Sequence, residues 1–164
     1  MENRSGNVLK MATSIQFKKI FSQVAAEHGF QSAFSGWFLP TPRGLVVLCL
    51  QKSNYGNYFD LLVKVYLNGL FADHYRPEKK LVTKEVGDIF LTAPRNFASS
   101  LSLEVERDEP QIRSELEKLF VEFAGPMALG LSTLAGIQAL SSENRVHLLP
   151  VVREFVNNPT NESG

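Results

Sequence analysis

Apolar side chains near the N-terminus recur at the spacing of an α-helix. Successive members lie three or four residues apart, which places them in one stripe on a helix surface. The stripe consists of Phe17, Ile20, Phe21, Val24 and His28. Thr13 and Ser14 precede it and can cap a helix, and Gly29 follows it with the backbone freedom that often ends one. We therefore predict a helix over residues 13–29.

Two apolar runs in the middle of the chain predict a pair of strands. Residues 45–50 form an unbroken run, LVVLCL, so both faces of this strand should be covered, as in the interior of a sheet. In residues 58–67 every odd position is apolar and most even positions are polar, which is the alternation of a strand with one buried face. Residues 53–57 between the runs are rich in turn-forming types. The block therefore predicts an antiparallel hairpin.

Three further segments predict strands, and one predicts a loop. Residues 33–39 are aromatic-rich and short, and residues 88–91 are apolar. Residues 97–105 alternate apolar and polar side chains and predict the last strand. Residues 68–87 are polar without a sustained period, so we predict a long loop with room for a helical turn.

The C-terminal part changes to helical spacing. From Asp108 an apolar stripe runs through Phe123, and Gly125 with Pro126 is predicted to end this helix. A second helix is predicted over residues 127–140. A third is predicted over residues 142–155, where Pro150 should kink the helix or delay its start.

The order of these elements predicts an α+β fold. We expect an N-terminal helix, an antiparallel sheet of about five strands, and two to three C-terminal helices packed on one sheet face. A chain of 164 residues suits one hydrophobic core, so we predict a single domain over residues 1–156. The polar residues 157–164 are predicted to be a disordered tail.

Composition narrows the function classes. The chain has 17 Lys and Arg against 17 Asp and Glu, so no net field favours nucleic acid or anionic lipid. No apolar run approaches the ~18 residues of a membrane span, and the polar N-terminus does not predict a secretory signal. A single cysteine, Cys49, excludes an internal disulfide and suits a reducing compartment. We therefore expect a small soluble cytoplasmic protein with no nucleic-acid or membrane partner.

The even positions of the second hairpin strand are the candidate binding surface. Tyr58, Asp60, Lys64 and Tyr66 share one side of the predicted strand, and tyrosines among charges are common at recognition surfaces. The alternative is an ordinary solvated face with a cross-strand ion pair. Three further candidate binding residues are Gln51, Lys52 and His74.

An enzyme is the alternative function. No phosphate loop, paired-cysteine zinc pattern or nucleophile motif occurs in the sequence, so no cofactor, metal ligand or catalytic residue is assigned. Asp73, His74 and Arg76 form the one compact cluster of chemically active types. Acid–base catalysis there would require the loop to fold over the hairpin and bring this cluster to Lys52 and Asp60.

The run LCLQKSNYGNYFDLLVKVYL follows a helix ending in Gly29-Phe30 and the strand Ser35-Gly36-Trp37-Phe38. Over residues 15–68 this arrangement resembles the bacterial family called domain of unknown function number 4304. The resemblance implies a bacterial α+β domain, and it carries no catalytic residues to transfer. We therefore expect a non-catalytic protein-binding domain, for example an immunity-type or accessory protein, with another protein as its partner.

Overall fold

The computed structural model of the protein describes residues 11–158. A helix comes first, five strands follow with one short helix among them, and four helices complete the chain. The strands are β1 (Gln31–Ala33), β2 (Gly36–Thr41), β3 (Gly44–Lys52), β4 (Phe59–Leu67) and β5 (Ile89–Thr92). The helices are α1 (Ser14–Glu27), α2 (Lys79–Thr83), α3 (Glu109–Leu119), α4 (Gly125–Gly130), α5 (Leu134–Ser142) and α6 (Pro150–Asn157). The predicted α+β fold is confirmed.

The five strands form one antiparallel sheet in the order β1-β2-β3-β4-β5. The central hairpin pairs Gly44 with Leu67 at one end and Lys52 with Phe59 at the other. Each strand pairs with its neighbour in sequence, and all the connections are short except residues 68–88 between β4 and β5. The predicted hairpin is confirmed, and its loop, residues 53–58, lies at the Lys52 end.

Helix α1 begins and ends where the sequence predicts. The Thr13 hydroxyl accepts from the Gln16 N–H at 3.1 Å, and the Gln16 side chain accepts in return from the Thr13 N–H. This reciprocal pair satisfies two donors that a helix start leaves unpaired. Gly29 follows the helix with φ of +92°, a conformation that favours glycine.

The main core lies between α1, the C-terminal helices and one face of the sheet. It contains the odd β4 side chains, such as Leu61 and Val63, and the helical stripes that begin with Phe17 and Ile112. A second, smaller core lies on the opposite sheet face and includes Phe38, Val47 and Cys49. Both faces of β3 are therefore buried, as its unbroken apolar run predicts.

Two predicted strands differ from the structure. Residues 33–39 contain a turn at Phe34 and Ser35, both at positive φ, so the segment forms β1 and β2 instead of one strand. Residues 97–105 were predicted as a strand, and this prediction is wrong. Two 3-10 turns, Arg95–Phe97 and Ser99–Leu101, occupy the region and send Phe97 and Leu101 into the main core.

The predicted helix end at Gly125 and Pro126 is also wrong. A π-helical turn, Phe120–Ala124, connects α3 to α4, and the Gly125 N–H bonds to the Phe120 carbonyl. The wider turn accommodates the sequence, and a Cβ at Gly125 would lie 2.8 Å from that carbonyl oxygen. The helical stretch Glu109–Gly130 then bends by 116° into α5.

Of the two remaining C-terminal helix predictions, one is wrong and one is confirmed. The predicted helix over residues 127–140 is interrupted between α4 and α5, where Thr133 caps α5 by accepting from the Gly136 N–H at 3.0 Å. Pro150 is the first residue of α6, so it delays the last helix as predicted. Residues 1–10 and 159–164, including most of the predicted tail, lie outside the described residues.

Candidate functional site

The structure separates the four side chains that were predicted to share one open face of β4. Asp60 is exposed and Tyr58 is half-buried, whereas Lys64 is 5% exposed and Tyr66 is 1% exposed. Lys64 and Tyr66 therefore cannot belong to an open binding surface. Their parity was predicted correctly, but that face is covered by another part of the chain.

Residues 68–88, which we call the covering segment, bury this half of the sheet face. They cross the strands and contain α2, whose Leu81 packs into the smaller core. The ammonium of Lys64 donates to the carbonyl oxygens of Leu81, Val82 and Glu85 at 3.2, 2.9 and 2.7 Å. A cation at the C-terminal end of a helix is favourable, and three acceptors satisfy all three ammonium protons. The predicted loop with a helical turn is confirmed, and Lys64 fixes it to the sheet.

The titratable groups beneath the covering segment are shifted by burial. Burial raises the pKa of the Cys49 thiol, and the nearby Lys64 ammonium partly opposes this shift. Burial raises the pKa of Tyr66 as well, and nearby Glu85 adds to the effect. Asp88 accepts from the Leu67 N–H at 2.7 Å, yet burial raises the pKa of its carboxyl. Each shift favours the neutral form, so the thiol here is a poor nucleophile.

The cluster at Asp73, His74 and Arg76 does not meet the hairpin residues that the enzyme alternative requires. The Tyr75 N–H donates to the Asn68 side chain at 2.9 Å, which holds the cluster at the far end of β4. Asn68 lies eight positions after Asp60, a length of about 25 Å at the usual rise of a strand. The predicted convergence of His74 with Asp60 and Lys52 is therefore wrong, because the covering segment folds over the other half of the sheet.

Gln51 and Lys52 lie beside Asp60 at the hairpin end, where both are exposed. Gln51 pairs with Asp60 in the β-ladder, and Lys52 pairs with Phe59. The Lys52 ammonium lies 5.9 Å from the centre of the Phe59 ring, and Lys18 of α1 lies 5.4 Å from the same ring. Two cations therefore flank one aromatic ring at this end of the sheet.

A groove at the same end of the sheet contains two of the predicted binding residues. This hairpin groove has a volume of about 840 Å³ and runs beside the first residues of β4. Its lining comprises residues 58–61 and 92–95 together with Ala98, Ser99, Leu101, Ser102 and Val105. Two side chains in it carry charge, Asp60 and Arg95, and both are exposed.

The groove exists because β5 is shorter than β4. The β5 ladder ends where Thr92 pairs with Leu62, and the Ala93 N–H then donates to the Leu61 carbonyl at 2.9 Å. The chain turns away at Pro94 and returns at Ser102, which bridges to Tyr58. Between these two points a short edge of β4, Phe59 and Asp60, borders the groove.

Hydrogen bonds fix residues 102–105, which form one wall of the groove. The Leu103 N–H donates to the Asn57 carbonyl at 2.8 Å, and the Asn57 N–H donates to the Glu104 carboxylate at 2.8 Å. The buried guanidinium of Arg107 donates to the carbonyl oxygen of Ser102 and pairs with Glu115 of α3. The wall is therefore attached both to the hairpin and to the helical layer.

Sequence patterns missed the wall residues Arg95, Ser99 and Val105. The wrong strand prediction gave residues 97–105 an extended backbone, whereas the 3-10 turns bring Ser99 and Ser102 to the groove. The tripeptide Pro94-Arg95-Asn96 was the sequence signal for a turn here, because proline and asparagine are common where a strand ends.

The other two histidines lie elsewhere. His28 follows α1, stacks on Phe120 at 5.2 Å, and has Nε2 3.1 Å from a Glu117 carboxylate oxygen. His147 is exposed after α5. Within residues 11–158, no group of three or more His, Cys, Asp or Glu side chains is arranged to hold a metal ion.

Comparison with protein-family models, curated proteins and solved structures finds no match to this chain. The resemblance to domain of unknown function number 4304 therefore stays a prediction. In the described part of the chain, no single helix is long and apolar enough to cross a membrane, although one bent helix pair has the required length and composition.

Proposed function

We propose that the protein is a small, soluble, non-catalytic protein-binding domain whose hairpin groove takes up an extended segment of a partner protein. The observation that carries this proposal is the edge of β4 beside the groove. This edge lies between the last pair of the β5 ladder and the bridge from Tyr58 to Ser102. An extended peptide binds well along such an edge, because backbone groups supply affinity and neighbouring side chains supply specificity. The free, buried Cys49 supports a cytoplasmic location.

The groove has the size and chemistry of a recognition site. Its volume of about 840 Å³ lies within the usual range for ligand clefts. Tyr58 and Val105 offer apolar surface, and Ser99 and Ser102 offer hydroxyl groups.

The charges define the partner segment. Asp60 favours a basic side chain and Arg95 favours an acidic one, so the occupant should be an extended segment that carries both. Arginine can bind a carboxylate through two parallel hydrogen bonds, which makes Arg95 the stronger determinant of register. A segment of one charge sign would meet repulsion at one of the two positions.

Selection from a random peptide library on the immobilised full chain tests this proposal. We expect enriched peptides to contain a basic and an acidic residue at a fixed separation, with micromolar affinity in fluorescence polarisation. Asp60→Lys and Arg95→Glu should each weaken binding by about tenfold or more, since each replaces an attractive pair with a repulsive one. Peptides with the corresponding charge reversed should regain affinity for these variants.

Asp73→Lys is the matched control, because it makes the same charge change at an exposed site at the opposite end of β4. It should leave peptide affinity unchanged. Equal binding of the selected peptides to the wild-type chain, Asp60→Lys and Arg95→Glu would rule out the groove as the binding site. Failure of any peptide to enrich over the Asp60→Lys/Arg95→Glu double variant would count against the proposal as a whole.

A further inference from the structure

We propose that a pocket between the end of α5 and the start of α6 binds the phosphate group of a small phosphorylated molecule. This basic pocket has a volume of about 400 Å³ and is lined by Arg145, His147 and Arg153 with Ser141, Asn144 and Val146. It shares no lining residue with the hairpin groove, so this inference is independent of the proposed function.

The charge of the pocket contrasts with the sequence around it. Residues 106–164 contain five basic and nine acidic side chains, yet two of those five line this pocket and no carboxylate does. Arg107 and Arg113 in the same region form close pairs with Glu115 and Glu27. Arg145 and Arg153 therefore concentrate positive charge where the sequence alone predicts an acidic surface.

One carboxylate approaches the pocket from outside its lining. A Glu143 oxygen lies 3.8 Å from a terminal nitrogen of Arg145, and both side chains are more than half exposed. An exposed pair at this separation is weak and screened by salt, so a phosphate dianion can compete for the guanidinium.

The backbone explains how the basic side chains meet. Helix α5 ends at Ser142, and Asn144 follows it with φ of +61°; the N–H groups of Asn144 and Arg145 donate to the Ser141 and Leu140 carbonyls at 3.0 and 2.9 Å. This closure satisfies the Leu140 and Ser141 carbonyls in the last turn of α5, which reduces their repulsion of an anion. The Arg153 N–H donates to the Leu149 carbonyl at 2.8 Å, so Arg153 lies in the first turn of α6.

The donors suit a phosphate group better than a single-charge anion. Two guanidinium groups can each present parallel N–H donors to phosphate oxygens, and the imidazole, hydroxyl and amide groups add further partners. The volume exceeds that of a phosphate ion and leaves room for a small organic group. The expected ligand is therefore a soluble phosphate monoester.

Titration of the full chain with inorganic phosphate, at fixed pH and ionic strength and followed by amide NMR shifts, tests the inference. We expect saturable one-to-one binding with the largest shifts in residues 141–153. Arg145→Gln and Arg153→Gln should each weaken binding by about tenfold, the usual effect of losing one charge-assisted contact. Arg153→Lys keeps the positive charge but lacks the planar guanidinium, so its affinity for phosphate should lie between those of the wild type and Arg153→Gln.

Arg76→Gln is the control, because it removes the same charge from an exposed residue of the covering segment. It should bind phosphate like the wild type. Glycerol phosphate and vesicles containing phosphatidic acid then distinguish a free metabolite from a lipid headgroup, both of which carry the phosphate monoester. Shifts that do not saturate, or equal affinities for Arg76→Gln, Arg145→Gln and Arg153→Gln, would overturn the inference.

Discussion

Lys64 and Tyr66 donate hydrogen bonds to the same atom, the carbonyl oxygen of Leu81, at 3.2 and 2.8 Å. Both side chains belong to β4, and the acceptor belongs to α2 in the covering segment. Lys64 also donates to the Glu85 carbonyl at 2.7 Å, and that oxygen lies 3.2 Å from the Tyr66 hydroxyl as an alternative acceptor for its single proton. The covering segment is therefore held to the sheet by polar bonds as well as by the apolar contact of Leu81.

Lys64→Met should destabilise the protein by about 2 kcal/mol. The substitution keeps an unbranched side chain of similar length but leaves the partly buried Val82 and Glu85 carbonyls without their ammonium donor, and the loss of such a charged donor is costly. Urea unfolding measures the loss. Hydrogen exchange should show faster exchange in residues 79–88 than in the central strands, because the bonds lost are local.

Lys79→Met is the control for this experiment, since Lys79 is an exposed residue of α2. It should change stability by less than about 0.5 kcal/mol, as is usual for surface sites. Equal stability of Lys64→Met and Lys79→Met would show that the three carbonyl bonds of Lys64 contribute no net stability.

Tyr66→Phe should cost more when Lys64 is already replaced. Alone, the loss of the hydroxyl should cost about 1 kcal/mol, because the Lys64 ammonium still satisfies the Leu81 carbonyl. In the Lys64→Met background that carbonyl loses both donors, so we expect a coupling energy of about 1 kcal/mol. A double-mutant cycle by urea unfolding measures it, and strict additivity would contradict the shared acceptor.

The same pair of residues marks the limit of sequence-based prediction here. Alternation along β4 correctly places Lys64 and Tyr66 on the side opposite Leu61 and Val63, because that period is a local property of a strand. Whether this side of the sheet is open depends on where the covering segment crosses the strands. That segment has no regular hydrophobic pattern from which its position could be predicted. Lys64 thus has the sequence pattern of a surface residue and the surroundings of a buried one.

The hairpin groove was predictable in part for a related reason. Tyr58 and Asp60 follow from the alternation, but Arg95 and Ser99 reach the groove only because the chain leaves the sheet after β5. Residues 97–105 alternate like a strand, yet Phe97 and Leu101 are buried from successive 3-10 turns. Packing against the helices overrides local alternation at these positions.

Asp88 should make stability fall as pH rises above its ordinary pKa of 3.8. Burial holds its pKa in the folded chain above that value, so the folded state binds the proton more tightly than the unfolded state. Between pH 3.8 and the raised pKa of the folded chain, the unfolded state carries fewer protons than the folded state. The free energy of unfolding therefore decreases with pH over this range. Above the folded-state pKa the decrease stops.

Asp88→Asn isolates this effect because the amide oxygen can still accept from the Leu67 N–H but does not titrate. The stability of the wild type minus that of Asp88→Asn, measured by urea unfolding, should decrease as pH rises above 3.8 and then level off once the carboxyl of the folded chain has ionised. A difference that increases with pH would mean that the Leu67 hydrogen bond outweighs burial.

Gly44→Ala should destabilise the protein by about 3 kcal/mol. Gly44 has φ of +153°, and an added Cβ would lie 1.8 Å from the Tyr66 carbonyl oxygen, a backbone atom of the neighbouring strand. The strands would have to separate at the start of the central hairpin. Thermal and urea unfolding both measure the loss.

Gly130→Ala is the matched comparison for Gly44→Ala. There the added Cβ would meet Leu140 Cδ1 at 2.9 Å, the end of a flexible side chain, and alanine favours the helix. Its stability should remain within about 1 kcal/mol of the wild type. A larger loss at Gly130 than at Gly44 would contradict the distinction between backbone and side-chain clashes.

Replacing Phe34-Ser35 with Asn-Gly should stabilise the protein by about 1 kcal/mol. The two residues have φ of +54° and +64°, the conformation of a two-residue hairpin turn that asparagine and glycine adopt with little strain. Phe34 is 51% exposed, so its removal sacrifices limited apolar contact. Phe71→Asn, which removes a phenylalanine that is 66% exposed from a backbone without positive φ, is the control and should not stabilise. Thermal unfolding measures the stability of both variants. A loss of stability in both would show that the packing of Phe34 contributes more than its backbone conformation costs.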